Sequence, residues 1–420
     1  MTPHPPRRSR PPIEDFNLQE SELRARLIAG THRERLIGYL GAKLYRELQT
    51  LARRAATARK QTGQRVYVLP GIMGSRLGLP ARGRSPAQVI WIDPVTIESG
   101  HLARLALPAR GTLRPLGVQL FKYLKLKLSL EVAGYDVDFH AFDWRQSIDD
   151  LGRELLARLK QERSGVVLVA HSMGGLVARA AMKNDRRGRV ARLVMLATPN
   201  YGSYAPVLAL RGAYPPVRQI AQLDHLHDAE THAQEVFATF PGLYQLLPAP
   251  ERLHSPNLYD VGAWPGDVRP PRRTLLEKAL GFRTQLAPAD ARCTLIAGVD
   301  RPTITSLSEH DGRFVYQITH AGDGTVPTDL ALLEGVETYF VRDEHSELPN
   351  NSTVIAAVID LLKRGDTRRL SRDSSSAAGA PLSLTERELR GEDSSKHDWR
   401  RMSLVERRRL LEGVVFPILD

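Results

Sequence analysis

The stretch VVLVAHSMGGLVARAAM, residues 166–182, constrains the fold of this chain more than any other segment. An apolar run typical of a buried strand breaks at His171 and Ser172, and two glycines and an alanine-rich helical pattern follow. A serine at the tip of a tight strand-to-helix turn is the arrangement of the G-x-S-x-G nucleophile elbow, with Ala170 here in place of the first glycine. Because alanine adds only one methyl group, we interpret Ser172 as a nucleophile, with an incidental turn serine as the alternative.

Strand-like and helix-like segments alternate on both sides of this turn. The apolar runs predict buried strands over residues 65–69, 137–142, 166–170, 192–196, 294–298 and 337–341, and helical patterns cover 116–132, 148–163 and 175–184. Such alternation predicts an α/β fold with a mostly parallel sheet and helices on both faces. In sheets of this kind, reactive residues lie on the loops that follow the carboxyl ends of the strands.

Composition and element order suggest how the chain is divided. We expect a disordered basic arm over 1–12, a helical extension over 13–62, a catalytic domain over 63–364, a linker over 365–400 and a C-terminal helix over 401–420. About 90 residues separate LATPNYGS from TLIAG, far more than a plain crossover needs, so we expect a lid or cap insertion over about 200–290. A smaller insertion, over about 76–115, contains VIWIDP.

The N-terminal part of the chain is basic and helical in pattern. Residues 1–60 hold 13 basic and 6 acidic residues and so carry +7 of the net charge of +12. Leucines recur there at spacings of three or four, which predicts an amphipathic helix: Leu36, Leu40, Leu44, Leu48 and Leu51. The helix either packs on the catalytic domain or lies on an anionic membrane surface. No nucleic-acid-binding motif accompanies the charge, so we expect no nucleic-acid partner.

Other features narrow the chemistry. Cys293 is the only cysteine, which excludes an intrachain disulfide and a cysteine metal cluster, and we expect no cofactor and no metal. No apolar run approaches the ~20 residues of a membrane span. The N-terminal sequence lacks the apolar core of a secretory signal, so we expect a cytoplasmic protein, with peripheral membrane contact as the alternative.

A nucleophilic serine needs a base that takes its proton, an acid that orients the base, and donors for the oxyanion. Asp323, between two glycines in HAGDGTVP, is the predicted acid, and Asp300 is the alternative. His345, which follows the strand ETYFV, is the predicted base, and His320 is the alternative. The order serine, acid, base along the chain supports these choices.

Two backbone amides are the candidates for the oxyanion hole. Met173 opens the helix after the serine, where backbone N–H groups are free. A second donor is expected from VYVLPGIMGS, residues 66–75, whose glycines permit close approach of the backbone to a substrate. We favour the amide of Met73, with that of Ile72 as the alternative.

Seven short motifs occur in one order over roughly residues 65–350. They are PGIMGS, WIDP, FDWR, AHSMGG, LATPNYGS, LYQLLP and GDGTVP with a downstream histidine. Together they resemble the lecithin:cholesterol acyltransferase-like lipases of the α/β-hydrolase fold. The resemblance implies lid or cap insertions, and it implies roles for particular residues. These are Ser172, Asp323 and His345 as the catalytic triad, the amides of Met73 and Met173 as the oxyanion hole, and Trp91 and Trp144 in the lid or acyl pocket.

The sequence therefore predicts a serine-dependent carboxylic ester hydrolase, lipase- or phospholipase-like, that acts through an acyl-enzyme on a lipid or other acyl ester. An acyltransferase that moves the acyl group to an alcohol would use the same residues. A hydrolase-fold module that binds lipid without catalysis is the third interpretation.

Overall fold

The computed structural model describes residues 18–59, 63–83, 85, 87–108, 113–253, 256–374, 380–391 and 395–415. The basic arm predicted for residues 1–12 lies outside this part of the chain.

Twelve strands and sixteen α-helices form the described part. The strands are β1 (Arg65–Leu69), β2 (Ser75–Leu79), β3 (Gln88–Trp91), β4 (Arg114–Val118), β5 (Asp136–Phe139), β6 (Val166–His171), β7 (Val190–Leu196), β8 (Cys293–Gly298), β9 (Thr303–His310), β10 (Arg313–Thr319), β11 (Glu337–Val341) and β12 (Leu382–Thr385). The helices are α1 (Glu20–Ala29), α2 (Arg33–Leu40), α3 (Ala42–Thr57), α4 (Pro94–Glu98), α5 (Leu120–Val132), α6 (Ile148–Leu159), α7 (Met173–Lys183), α8 (Ala205–Leu210), α9 (Pro215–Leu223), α10 (Ala229–Thr231), α11 (Pro241–Tyr244), α12 (Arg273–Leu280), α13 (Thr328–Ala331), α14 (Ser352–Arg364), α15 (Glu386–Arg390) and α16 (Leu404–Val415).

The central sheet has six strands in the order β11-β8-β7-β6-β1-β5, and every pair in it is parallel. Side chains of β6 alternate between the two faces, as strand geometry requires. Val166 and Leu168 join the core that includes α6 and α7, whereas Val167 and Val169 join the core that includes α5 and α14. The predicted parallel sheet with helices on both faces is therefore confirmed.

The N-terminal helices pack on the domain. The predicted single amphipathic stretch is divided into α1, α2 and α3, because Gly30 and Gly41 end the first two helices with positive φ. Leu36, Leu40 and Leu48 are buried in the same core as α5, and Leu44 and Leu51 pack against that core while partly exposed. The leucine stripe thus stabilises the fold, at about 1.5–3 kcal/mol for each fully buried leucine. Contact with an anionic membrane stays a prediction.

Two insertions lie at the carboxyl edge of the sheet. Residues 76–115 contribute to a small antiparallel sheet in the order β3-β2-β4 and contain α4. The second insertion, which we call the cap (residues 200–290), contains α8 to α12 with short 3-10 and π-helical turns between them. Among the described residues, no helix combines the length and the apolarity that a membrane span requires.

The C-terminal segment corrects one expectation. Residues 365–400 were expected to be a linker, yet they contain β12, which pairs antiparallel with β10, and α15. Glu386, at the start of α15, is buried in an ion pair with Arg211 of the cap. The serine-rich composition gives no sign of this strand. The strand forms because it pairs with β10, which lies more than 60 residues earlier in the chain.

Stability should fall in mild acid through His140, which follows β5. Burial and the nearby Arg158 guanidinium lower the pKa of His140 to about 4, whereas an unfolded histidine titrates near 6.5. Between these values only the unfolded chain gains the proton, so this residue should remove about 3 kcal/mol of the free energy of unfolding as pH falls from 6.5 to 4. Urea denaturation of wild type and His140→Gln across this range should give a smaller loss in the variant. Equal pH dependence in the two proteins would exclude His140 as a contributor.

Candidate active site

Ser172 lies at the turn between β6 and α7 in a conformation that side chains rarely adopt. Its φ is 53° and its ψ is −127°, and its backbone N–H donates to the Leu196 carbonyl oxygen at 2.8 Å. The turn is tight: a Cβ atom on Gly174 would lie 2.5 Å from the Pro70 carbonyl oxygen. A Cβ atom on Gly175 would lie 2.0 Å from Oγ1 of Thr198. Glycine is therefore required at both positions, and the positive φ at Ser172 is held by the packing around it.

The fold accommodates the methyl group of Ala170 at the position where the elbow motif usually has glycine. It is fully buried in β6, with Leu69 of β1 and Met195 of β7 as its register partners. Its side chain belongs to the core that also contains residues of α6 and α7.

The three residues predicted as the triad are hydrogen-bonded in series. Nε2 of His345 lies 2.9 Å from Oγ of Ser172, and Nδ1 of His345 lies 2.8 Å from Oδ2 of Asp323. All three side chains are buried. With the Nδ1 proton directed at the carboxylate, Nε2 is free to accept the serine proton, which is the arrangement that a general base needs.

Asp323 is positioned by its own loop and by β8. Oδ1 of Asp323 accepts hydrogen bonds from the amides of Thr325 and Val326 at 3.0 and 2.7 Å, which leaves Oδ2 for the histidine. The backbone N–H of His345 donates to the Asp323 carbonyl oxygen at 2.8 Å. A Cβ atom on Gly298, the last residue of β8, would lie 2.6 Å from the Asp323 Cβ, so the loop returns to the end of that strand after the β9–β10 hairpin.

The two alternative residues lie together elsewhere. Nδ1 of His320 is 3.6 Å from Oδ1 of Asp300, and the same carboxylate faces Arg342 at 3.5 Å. His320 is also about half exposed. The hydrogen bond of His345 to Ser172, and that of Asp323 to His345, thus favour these two residues over His320 and Asp300.

The loop Pro70 to Gly74 approaches the serine closely. A Cβ atom on Gly71 would lie 2.9 Å from the Ser172 Cβ, and the Gly74 N–H closes a turn onto the Gly71 carbonyl oxygen at 3.1 Å. Met73 has a φ of 61° within this turn. Ile72, Met73 and Gly74 all line the cavity at Ser172, so the assignment of the second oxyanion donor to Met73 or Ile72 stays a prediction, as does the role of the Met173 amide.

Trp91 and Trp144 lie in a different place from the one predicted. Neither lines the cavity at Ser172, and both are fully buried beneath the loop of residues 70–75. The indole N–H of Trp91 donates to the Met73 carbonyl oxygen at 2.8 Å, and that of Trp144 donates to the Ser75 carbonyl oxygen at 3.0 Å. Their rings meet edge to face at 5.2 Å, a contact worth about 0.5–1.5 kcal/mol beyond area burial. Both side chains hold the loop in place through these hydrogen bonds, and neither contributes to the wall of this cavity.

A buried hydrogen-bond network, which was not predicted from the sequence, joins the loop of residues 70–75 to the loop that carries His345. The Gly71 N–H donates to the Tyr123 hydroxyl at 3.0 Å, and that hydroxyl lies 3.0 Å from Nδ1 of His171. Nε2 of His171 lies 2.9 Å from the His345 carbonyl oxygen. Burial, with His345 nearby, lowers the pKa of His171 well below its usual range, so the ring is neutral. A neutral ring that accepts from the Tyr123 hydroxyl through Nδ1 carries its proton on Nε2 and donates to the carbonyl.

Lys122, the residue before Tyr123 in α5, binds the same loop that carries His345. Its buried ammonium group donates to the Ser346 carbonyl oxygen at 3.0 Å and lies 3.6 Å from a carboxylate oxygen of Glu347. Two consecutive residues of one helix thus bind the loop of residues 70–75 and the loop that carries His345. The sequence did not single out these two residues, because the same helix also contains Lys125 and Lys127.

The cavity at Ser172 is lined mainly by apolar groups. One wall is the loop with Ile72 and Met73, and the cap supplies the opposite wall. The cap residues in this wall mostly have small or apolar side chains and are Ser203, Ala205, Pro206, Ala209, Tyr214, Leu243 and Leu246.

The sequence profile of the Alpha/beta hydrolase family matches residues 105–334, which is more than half of the chain. The chain belongs to the alpha/beta hydrolase family, and its fold is the α/β-hydrolase fold. No curated protein matches the sequence.

The chain is also similar to solved structures of other proteins. The Tle4–Tli4 complex matches at 18% identity over 73% of this chain and 100% of that chain, with a TM-score of 0.45. The mature lipase BlEst2 of Bacillus licheniformis matches at 14% identity over 73% of this chain and 94% of that chain, with a TM-score of 0.38. Phospholipase PlaB of Legionella pneumophila matches at 10% identity over 72% of this chain and 57% of that chain, with a TM-score of 0.32.

Replacing Tyr123 with phenylalanine should slow the chemistry at Ser172. The change leaves the Gly71 N–H without its acceptor and His171 without its donor, so both loops lose a positioning contact. We expect kcat on a short ester to fall by about tenfold with little change in KM, as for an interaction that acts mainly in the transition state. The rate of covalent inactivation by a fluorophosphonate should fall in parallel.

Tyr244→Phe is the matched control, because the Tyr244 hydroxyl likewise accepts from an amide (Arg272) and donates to a carbonyl (Ala238) within the cap. It should lower Tm comparably while kcat stays within about threefold. Equal losses of kcat in the two variants would mean that Tyr123 contributes only to the stability of the fold and does not position the loops at Ser172.

Proposed function

We propose that this protein is a serine-dependent carboxylic ester hydrolase that cleaves lipid esters through an acyl-enzyme. The observation that carries the proposal is the continuous hydrogen-bonded series from Asp323 through His345 to Ser172, at the end of an apolar cavity. The seven motifs that resemble the lecithin:cholesterol acyltransferase-like lipases support placing it in that subfamily.

The geometry suggests the following sequence of steps. Nε2 of His345 takes the Ser172 proton as Oγ attacks the ester carbonyl carbon, and Asp323 stabilises the imidazolium. The oxyanion accepts hydrogen bonds from the Met173 amide and from an amide of the Gly71–Gly74 turn. Nε2–H of His345 then protonates the departing alkoxide, which leaves an acyl group on Ser172. Water, activated by the same histidine, hydrolyses the acyl-enzyme.

The lining of the cavity supports a lipid acyl group as the part of the substrate held there. Ala209 and Leu246 of the cap and Ile72 of the facing loop offer apolar surface to an acyl chain. Each buried CH₂ contributes about 0.8 kcal/mol, so longer acyl chains gain affinity until the cavity is filled.

Covalent labelling tests the nucleophile directly. A fluorophosphonate probe should modify Ser172, located by peptide mass spectrometry, and should not modify the Ser172→Ala variant. Ser203→Ala removes another serine that lines the same cavity and should leave the adduct on Ser172. Ser172→Ala and His345→Ala should each lower kcat on a short ester by about 10³ or more, and Asp323→Asn somewhat less. Absence of labelling in the folded wild type would favour a non-catalytic binding module.

Acyl-chain selectivity tests the lipid assignment. Ala209 is small, buried and part of the cavity wall, so Ala209→Phe should obstruct the chain. With p-nitrophenyl esters, we expect kcat/KM for the octanoate to fall by about tenfold or more while the acetate changes by less than about threefold. A uniform loss for both esters would contradict an acyl-binding role for this wall. Adding a long-chain alcohol and measuring ester products distinguishes acyl transfer from hydrolysis.

A further inference from the structure

A histidine and aspartate cluster lies in the cap, outside the serine site. Among the described residues, Asp224, His227 and His232 form one group whose three donor atoms all lie within 4.8 Å of one another. Asp224 directly follows α9, and His232 begins a π-helical turn, His232–Val236. We propose that these three side chains form a zinc-binding site.

The Asp224 carboxyl group is held in a fixed orientation with one oxygen directed at the cluster. Oδ1 of Asp224 accepts hydrogen bonds from the amides of Leu226 and His227 at 2.8 and 3.2 Å, which fixes the carboxyl group and leaves Oδ2 for other partners. The carboxyl group is fully buried, so its second oxygen is directed into the cluster and away from solvent.

The two imidazoles converge on the same oxygen. Nδ1 of His227 lies 2.9 Å from Oδ2 of Asp224, and Nε2 of His232 lies 3.0 Å from it. His232 is 1% exposed, and its Nε2 has no aligned hydrogen bond despite this short distance. A buried nitrogen that faces a carboxylate oxygen without donating to it is the arrangement expected where a lone pair points at a cation.

The donor set selects the metal. Two imidazole nitrogens and one carboxylate oxygen suit Zn²⁺, whereas Mg²⁺ and Ca²⁺ prefer oxygen ligands throughout. The His227 side chain is 29% exposed, so this side of the cluster gives the ion a path from solvent and gives a water the fourth position.

The ion would act on the structure of the cap. The C-terminal segment crosses the same loop, where the Lys396 ammonium group donates to the carbonyl oxygens of Ala221, Asp224 and His227 at 2.7 Å each. Because this cation is bound by carbonyls of the ligand loop, holding Asp224 and His227 in place also preserves the surface on which the C-terminal segment docks. Zinc should therefore raise the thermal stability of the whole protein.

Metal content and thermal stability test the site without reference to ester hydrolysis. The full chain, with any affinity tag removed, is stripped with a chelator, equilibrated with Zn²⁺ and passed through a desalting column. We expect wild type to retain one zinc per chain by mass spectrometry of the metal and to gain several degrees in Tm, reversibly on chelation.

Three variants separate ligation from folding. His227→Gln changes the partly exposed ligand and should lower zinc affinity by at least tenfold, and Asp224→Asn should do the same. His225→Gln removes the neighbouring exposed histidine of the same loop, which faces the His397 carbonyl, and should keep wild-type zinc content. If wild type retains no zinc, or if His227→Gln retains as much as wild type, the cluster is only a hydrogen-bonded turn. Either result leaves the proposed ester hydrolysis untouched, because the labelling of Ser172 does not involve this cluster.

Discussion

The close packing of α7 against the ends of β1 and β7 is the constraint on which the site depends. With hydrogen in place of a side chain at Gly174 and Gly175, the helix approaches Pro70 and Thr198 too closely for any other residue. That approach gives Ser172 its unusual backbone conformation and brings its hydroxyl to the edge of the sheet where Asp323, beside the end of β8, and His345, after β11, are hydrogen-bonded in series with it. Since the strained turn and the buried polar series are both held by the surrounding core, stability and chemistry share the same contacts.

The sequence contained enough local signal for the central sheet and for the positions of three polar side chains. Strands of a parallel sheet are buried on both faces and read as apolar runs, so β1, β6, β7, β8 and β11 were predictable within a residue or two. Chain order then selected Asp323 and His345, although it left Asp300 and His320 open. Only the distances to Ser172 separate these pairs, because sequence spacing does not say which loop folds back to the end of β8.

Contacts between distant segments explain what the sequence left out or misplaced. Trp91 resembles a lid residue in sequence, yet its indole is buried and bound to the Met73 carbonyl, and burial of an aromatic residue within an insertion has no periodic signal. The serine-rich stretch before β12 was predicted to be a linker because its composition is that of a solvated segment. Composition does not indicate whether a distant strand is available for pairing. The leucine pattern of the basic N-terminal segment was compatible with packing on the protein and with binding to a membrane. The buried leucines agree with packing on the protein, and membrane binding stays untested.

Helix α5 contacts both the loops around Ser172 and the N-terminal extension. Its consecutive residues Lys122 and Tyr123 bind the loops on either side of Ser172, and its outer surface packs against α3 of the N-terminal extension. Adjacent residues of a helix are separated by a rise of only about 1.5 Å along its axis, so the two loops are anchored at nearly one point of a rigid body. A displacement of this helix therefore carries both loops in the same direction and preserves the distance between them.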